Sequence, residues 1–122
     1  MKLKSKVVNN SNQLNISIRN NLRLLGFKAC NKSTKILSKT IFYIKSNNID
    51  IFEVTAKEVY IAIAKFYEDM TPKKVKDNID YALAHRNKSK SKMNFQIVFS
   101  FEYTEEVFTN KNFIEEFSNI II

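Results

Sequence analysis

A chain of 122 residues has room for one domain, since domains usually span roughly 100 to 200 residues, and a second catalytic domain is excluded. Hydrophobic residues make up 44% and charged residues 26%, a balance that supports a packed core and argues against disorder. The net charge of +8 suits a polyanionic partner such as nucleic acid, although the same lysine- and asparagine-rich composition also arises from AT-rich coding without selection for binding.

The scarcity of glycine, proline, cysteine and histidine excludes several kinds of binding and catalytic site. One glycine and one proline exclude a glycine-rich phosphate loop or a dinucleotide-binding fingerprint. The lone Cys30 excludes an internal disulfide and a thiolate cage, and the lone His85 has no second histidine with which to bind zinc. We therefore expect no metal and no cofactor. Because no nucleophile or acid is evident beside His85, we also expect no enzymatic activity.

The chain has no run of about 18 apolar residues that would span a membrane. Its first lysines, Lys2, Lys4 and Lys6, precede Val-Val-Asn-Asn rather than the apolar core of a signal peptide. We expect a cytoplasmic protein without a membrane partner.

The charges are distributed in blocks. Residues 1–46 carry ten basic residues and no acid, and residues 73–92 have a net charge of +5. Residues 47–72 and 93–122 have net charges of −3 and −4. A stripe of one sign is typical of phosphate binding, although a solvated surface would give the same totals.

Residues 1–11 are polar and basic without a period, which predicts a flexible arm before a single domain over residues 12–122. A first helix is predicted near residues 12–25, with Gly26 as the natural residue after its end. Its apolar positions recur at helical spacing: Leu14, Ile18, Leu22 and Leu25.

Ser33 or Thr34 is predicted to cap a second helix, which ends before a loop at residues 46–50. Its apolar side consists of Ile36, Leu37, Ile41 and Ile44. A third helix is predicted to start near Thr55 and end near Glu68. Its apolar positions are Val59, Ile63, Phe66 and Tyr67.

Thr71-Pro72 is a strong helix start, because threonine caps well and proline favours the first helical position. The fourth helix is predicted to run to about Arg86, with an inward stripe of Val75, Ile79, Ala82 and Leu83. Residues 87–92 are predicted as a polar break, and residues 93–101 show strand-like alternation in places. A last helix is predicted to open at Thr109-Asn110, with Phe113, Ile114 and Phe117 on one face, and to end at residues 120–122. The predicted fold is an all-α bundle of about six helices.

The third and fourth helices resemble a helix-turn-helix over about residues 55–87, although an ordinary helix pair has the same spacing. The wider pattern resembles the DNA-binding effector domain of the stage zero sporulation protein A response regulators. Its most specific parts are the block Tyr60 to Lys65 and the Thr-Asn-x-x-Phe-Ile stretch that begins at Thr109. The other matching residues, in order, are Leu25-Gly26, Ala29, Lys32, Ile49, Lys57, Val75, Ile79 and Ala82.

The resemblance implies a six-helix domain whose fourth helix enters the DNA major groove. It also implies a missing receiver domain, since only eleven polar residues precede the first predicted helix. Where the family has Arg and His that read DNA, this chain has Lys76, Asp77, Asn78, Ile79, Asp80 and Tyr81, of which only the inward Ile79 is retained. On a helical wheel the outward residues are Lys73, Lys74, Asp77, Asp80 and Tyr81.

We therefore expect a sequence-dependent module that binds double-stranded DNA and regulates transcription. The predicted DNA-binding residues are Lys73, Lys74, Lys76, Asp77, Asn78, Asp80 and Tyr81. Lysines in a first helical turn favour an anion there, but pairing of Lys73 with Asp77 and of Lys76 with Asp80 at i, i+4 is the competing interpretation. The alternative function is a degenerate effector fold that acts as a protein-interaction module, pairing with another regulator or a transcription component through the acidic last helix and the apolar C-terminus. Ile120, Ile121 and Ile122 also predict a weak homodimer through that helix.

Overall fold

A computed structural model describes the backbone of residues 2–51 and 54–121, and side chains from residue 11 onward. This part of the chain forms helices and no strand, which confirms the all-α prediction. A 3₁₀ turn at Glu105–Phe108 precedes the last helix. In chain order the α-helices are α1 Lys2–Leu24, α2 Lys32–Ser46, α3 Ala56–Ala64, α4 Pro72–His85, α5 Lys88–Phe99 and α6 Asn110–Ile120.

The core is formed by the apolar faces that the helical spacing predicts. Ile18, Leu22 and Leu25 of the first segment are at most 1% exposed, and the four predicted apolar residues of α2 are at most 2% exposed. The predicted stripe of α4 and the predicted face of α6 are buried as well. A cluster of aromatic rings fills the centre between α5, the 3₁₀ turn and α6; it includes Phe95, Phe99, Phe108, Phe113 and Phe117.

Helix α5 corrects the expectation of a polar break followed by strand-like structure. Asn87 caps the helix, because its side-chain oxygen accepts a hydrogen bond from the backbone N–H of Lys90 at 3.1 Å. Phe95, Val98 and Phe99 are buried at helical spacing. The period was obscured in the sequence because the outer face of the helix also carries two large apolar residues: Met93 is 75% exposed and Ile97 is 71% exposed.

Three helix boundaries differ from the predicted ones. Helix α1 begins at Lys2 rather than near residue 12, since no glycine or proline interrupts the polar segment before Leu14. Helix α2 begins at Lys32, so Ser33 and Thr34 lie inside its first turn instead of capping it. Helix α3 ends at Ala64 rather than near Glu68, and Phe66, which was expected to face inward, is 58% exposed.

The end of the chain corrects the argument for a homodimer. Phe117 is 0% exposed and Ile121 is 2% exposed, so both pack inside a single copy of the chain. Ile120 is partly buried against the same core. Ile122 lies outside the described residues. The apolar face of α6 is therefore used by the fold, and the surface on which we expected self-association to rest is not free at these positions.

Candidate nucleic-acid interface

Two well-capped helix starts position α3 and α4. Thr55 and Glu58 form a capping box: the Thr55 hydroxyl accepts from the Glu58 N–H at 3.3 Å, and the Glu58 carboxylate accepts from the Thr55 N–H at 3.1 Å. The Thr71 hydroxyl accepts from the Lys74 N–H at 3.1 Å, with Pro72 in the first turn. Residues 65–71 join the two helices, a connection longer than the three or four residues typical of a helix-turn-helix. That motif stays a prediction.

The inner face of α4 anchors the helix to the core. Val75 and Ile79 are 0% exposed, and Ala82 and Leu83 are 3% exposed. This burial fixes the rotation of α4 about its own axis, so the remaining positions form its outer face, as the helical wheel predicted. Six of the seven predicted site residues lie on this outer face or at its edge. The seventh, Asp80, was also predicted to point outward, but its carboxylate is directed toward Asn110 of α6.

The acidic residues of α4 are accompanied by lysines. Lys73 lies 3.9 Å from Asp77, and Lys76 lies 2.9 Å from Asp80, both at i, i+4. All four side chains are well exposed, so each pair stabilises the helix only slightly and is easily exchanged for another partner. The hydrogen bond to Asp80, together with its charge, raises the pKa of Lys76. The competing interpretation of local pairing therefore holds in the free protein, while the lysines remain accessible to phosphate.

Asp80 belongs to a polar network that joins three helices. Asn110, the first residue of α6, donates through its side-chain amide to Asp80 at 2.9 Å and to the backbone carbonyl of Lys76 at 3.2 Å. The oxygen of the same amide accepts from the hydroxyl of the buried Tyr60 on α3. Burial, followed by the charge of Asp80, raises the pKa of Tyr60 to about 12, so the phenol stays a donor at neutral pH. Asp80 therefore helps to hold α4 against α6, and its carboxylate already has two partners, Lys76 and Asn110, in the free protein.

The middle of the outer face of α4 carries the Asn78 amide and two stacked aromatic rings. The Asn78 amide donates to the backbone carbonyl of Lys74 at 2.8 Å, and the Lys74 ammonium donates to the carbonyl of Asp69 at 3.2 Å. One turn later, the rings of Tyr81 and His85 stack with centroids 3.8 Å apart and 17° between their planes. Tyr81 is 53% exposed, so this stacked pair forms a flat surface on the outside of α4.

The start of α2 adjoins this face, a neighbourhood that the sequence did not reveal. Asn31, Lys32 and Ser33 line a shallow depression together with Asn78 and Tyr81 of α4. Helix α2 has no side-chain cap and no acid in its first turn, so its first N–H groups and its positive dipole end are not neutralised from within the helix. The only sequence signal was the acid-free stretch of residues 1–46; its position beside α4 depends on the packing of the helices.

Other chemistries find little support in the described residues. Among them, no three His, Cys, Asp or Glu side chains cluster as metal ligands would. Cys30 is exposed, and His85 interacts with Tyr81, whose backbone carbonyl lies 3.0 Å from its Nδ1. No helix in this part of the chain is both long enough and apolar enough to cross a bilayer.

Comparison of the chain with models of protein families, with curated proteins and with solved structures finds no significant match. The function proposed below therefore depends on the geometry and chemistry of this surface alone.

Proposed function

We propose that this protein is a DNA-binding module that docks the outer face of α4 on double-stranded DNA and contacts the adjacent phosphates with the start of α2. The observation that carries this proposal is the shared depression between Lys32 on α2 and Asn78 and Tyr81 on α4. A helix that presents amide and aromatic side chains beside an uncapped, positively charged helix start combines groups that read base edges with a group that binds phosphate.

The roles follow from the chemistry of each side chain. Lys73, Lys74 and Lys76 supply charge at the start of α4, where a phosphate would also relieve their unfavourable position at the positive end of the helix. Asn78 has the donor and acceptor needed to pair with adenine in the major groove. Tyr81 supplies a flat apolar surface, and Asp77 discriminates between sequences because its carboxylate repels phosphate but accepts from a cytosine amine. A transcriptional role would follow from such binding.

The test is fluorescence anisotropy with a labelled random duplex at several salt concentrations. We expect affinity that falls steeply with salt, with a log–log slope of about −0.9 for each phosphate contact. Replacement of Lys32, Lys73 and Lys74 by Ala should weaken binding and make the salt dependence less steep. The matched control is Lys45, Lys57 and Lys111 to Ala, which removes the same charge from positions outside the depression and outside α4. Equal losses in the two triple variants, or no binding at low salt, would refute the proposed surface.

A second candidate function, a protein-interaction module, is favoured by the outer face of α5. Met93 and Ile97 lie one turn apart and are 75% and 71% exposed, and Phe101 just beyond the helix is 40% exposed. Exposed apolar side chains in a row are typical of a surface that another protein covers. This location replaces the C-terminal face expected from the sequence, whose apolar residues are buried. If duplex DNA does not bind, loss of a partner on Ile97→Lys would support this alternative.

A further inference from the structure

A cavity of about 260 Å³ opens between α1, α2 and the chain just after α3, on residues separate from those of the depression at α4. Its floor is apolar and is formed by Leu22, Phe27 and Phe42, of which the first two are nearly fully buried. Tyr67 closes one side, and burial raises the pKa of its phenol, so the hydroxyl remains a donor at neutral pH.

The rim of this cavity is strongly basic. Arg19 and Arg23 line it from α1, and Lys35 and Lys39 line it from α2. Among the side chains that the structure describes, no carboxylate lines the cavity, and residues 1–46 contain no acid. The ion pairs found in the described part of the chain lie elsewhere, on α4 and at Arg86. None of these four cations is therefore paired with a carboxylate of the described part of the chain, although the Lys39 ammonium lies 4.5 Å from the centroid of the Phe66 ring.

A simple ligand would match only one part of this lining, either the basic rim or the apolar floor. A bare inorganic anion would pair with the rim but leave the apolar floor wet, and a neutral apolar molecule would cover the floor but desolvate the cations without pairing them. A polyanion such as DNA presents phosphates along a stiff rod and cannot reach the floor. The chemistry that fits both parts is an anionic head group on a small apolar body.

We propose that this cavity binds a small organic anion, a carboxylate or phosphate monoester with an acyl or aryl body. The head group lies among Arg19, Arg23 and Lys35, where arginine can bind it through two parallel hydrogen bonds. The body lies on Leu22, Phe27 and Phe42. The cavity has the volume of about nine water molecules, at about 30 Å³ each, which suits a small ligand of roughly ten non-hydrogen atoms. Thr34 and Ser38 add polar side chains to the lining.

Isothermal titration calorimetry of the full chain without DNA tests this proposal, so its outcome is independent of the proposed DNA contact. The probes are octanoate and octyl phosphate, which separate the two head groups, with octanol lacking the charge and acetate lacking the body. We expect one site that is filled by at least one of the two anions. Octanol and acetate should each bind at least about tenfold more weakly, because a charge-assisted pair or a buried chain is lost.

Arg23→Gln with Lys35→Gln should weaken binding of the favoured anion by about tenfold or more, as expected for loss of a charge-assisted pair. Lys45→Gln with Lys57→Gln removes the same charge from outside the cavity and should leave affinity unchanged. Circular dichroism melts establish that each variant is folded. Thr34→Val, which keeps the side-chain volume, provides a second variant and should weaken binding without a change in charge. Binding of octanol equal to that of octanoate, several anions per chain, or equal losses in both charge variants would overturn the proposal.

Discussion

The guanidinium of Arg86 lies over the ring of Phe108, 3.6 Å from its centroid. Arg86 is only 6% exposed, and its nitrogens donate to the Leu83 carbonyl at 2.7 Å, the Ser91 hydroxyl at 2.9 Å and the Glu105 carboxylate at 2.8 Å. Through Ser91, whose hydroxyl donates to the carbonyl of Leu25 at 2.5 Å, the same cluster reaches the end of α1. One buried cation thus joins four segments of the chain.

We expect Arg86→Met to lower the free energy of unfolding by about 2–4 kcal/mol, because methionine fills part of the space but leaves buried acceptors without a donor. Urea denaturation monitored by circular dichroism measures this change. Glu105→Gln should cost much less, about 1 kcal/mol or below, because Glu105 is half exposed and stays hydrated. Equal costs for the two substitutions would show that the ion pair, rather than the buried hydrogen bonds, dominates.

Glu105 also predicts a pH dependence of stability. Burial alone would raise the pKa of its carboxyl, but hydrogen bonds from Arg86 and Tyr103 outweigh burial and lower the pKa below its ordinary value. A carboxyl whose pKa is lowered by folding stabilises the protein above its unfolded pKa, and this contribution is lost as the pH falls through the folded pKa. The free energy of unfolding should therefore decrease on acidification, and Glu105→Gln should make this decrease smaller. Glu106→Gln removes the same charge from the same turn and should leave the slope as it is.

Gly26 is expected to resist any substitution. Its φ of +94° disfavours side chains, and a Cβ there would lie 2.3 Å from the backbone oxygen of Asn87, whose N–H donates to the Gly26 carbonyl at 2.9 Å. We expect Gly26→Ala to cost about 2 kcal/mol or more in the free energy of unfolding. The strain of a positive φ can be separated from the clash with Asn87 by a substitution at Asn48, which has a φ of +51° on an exposed turn. If Asn48→Ala costs as much, the contact with Asn87 contributes nothing.

Asp77 and Asp80 should respond differently to the same substitution. Asp77 pairs only loosely with Lys73, so Asp77→Asn should leave stability within about 0.5 kcal/mol and strengthen low-salt DNA binding by removing a repulsive charge. Asp80→Asn should lower stability by about 1 kcal/mol or more, because it weakens the network of Asn110 and Tyr60. Melting curves and anisotropy titrations of both variants check this. Similar effects of the two changes would place Asp80 on the same exposed surface as Asp77.

Capping residues and apolar spacing predicted five of the six α-helices. Thr55, Thr71 and Gly26 each specify a helix end through their own backbone or side chain, so these boundaries can be deduced from a few neighbouring residues. Helix α5 was missed because its exposed face carries the apolar Met93 and Ile97. Which apolar residues stay exposed depends on the elements that pack against the helix, and the local sequence does not show this. The predicted lysines of α4 are on its surface, but the role of Asp80 depends on Asn110, 30 residues away, and that of Lys32 depends on the packing of α2 beside α4.

The acid-free hairpin of α1 and α2 has a consequence for how the fold responds to its solvent. Like charges held on two packed helices repel one another in the native state more than in the expanded chain, and this repulsion acts over about 10 Å at 0.1 M salt. Added salt should therefore raise the melting temperature while it weakens any complex with DNA. Anions that bind the native hairpin shift the folding equilibrium in the same direction by mass action. The ionic composition of the surroundings thus affects folding and DNA binding in opposite directions, and Lys32 contributes to both.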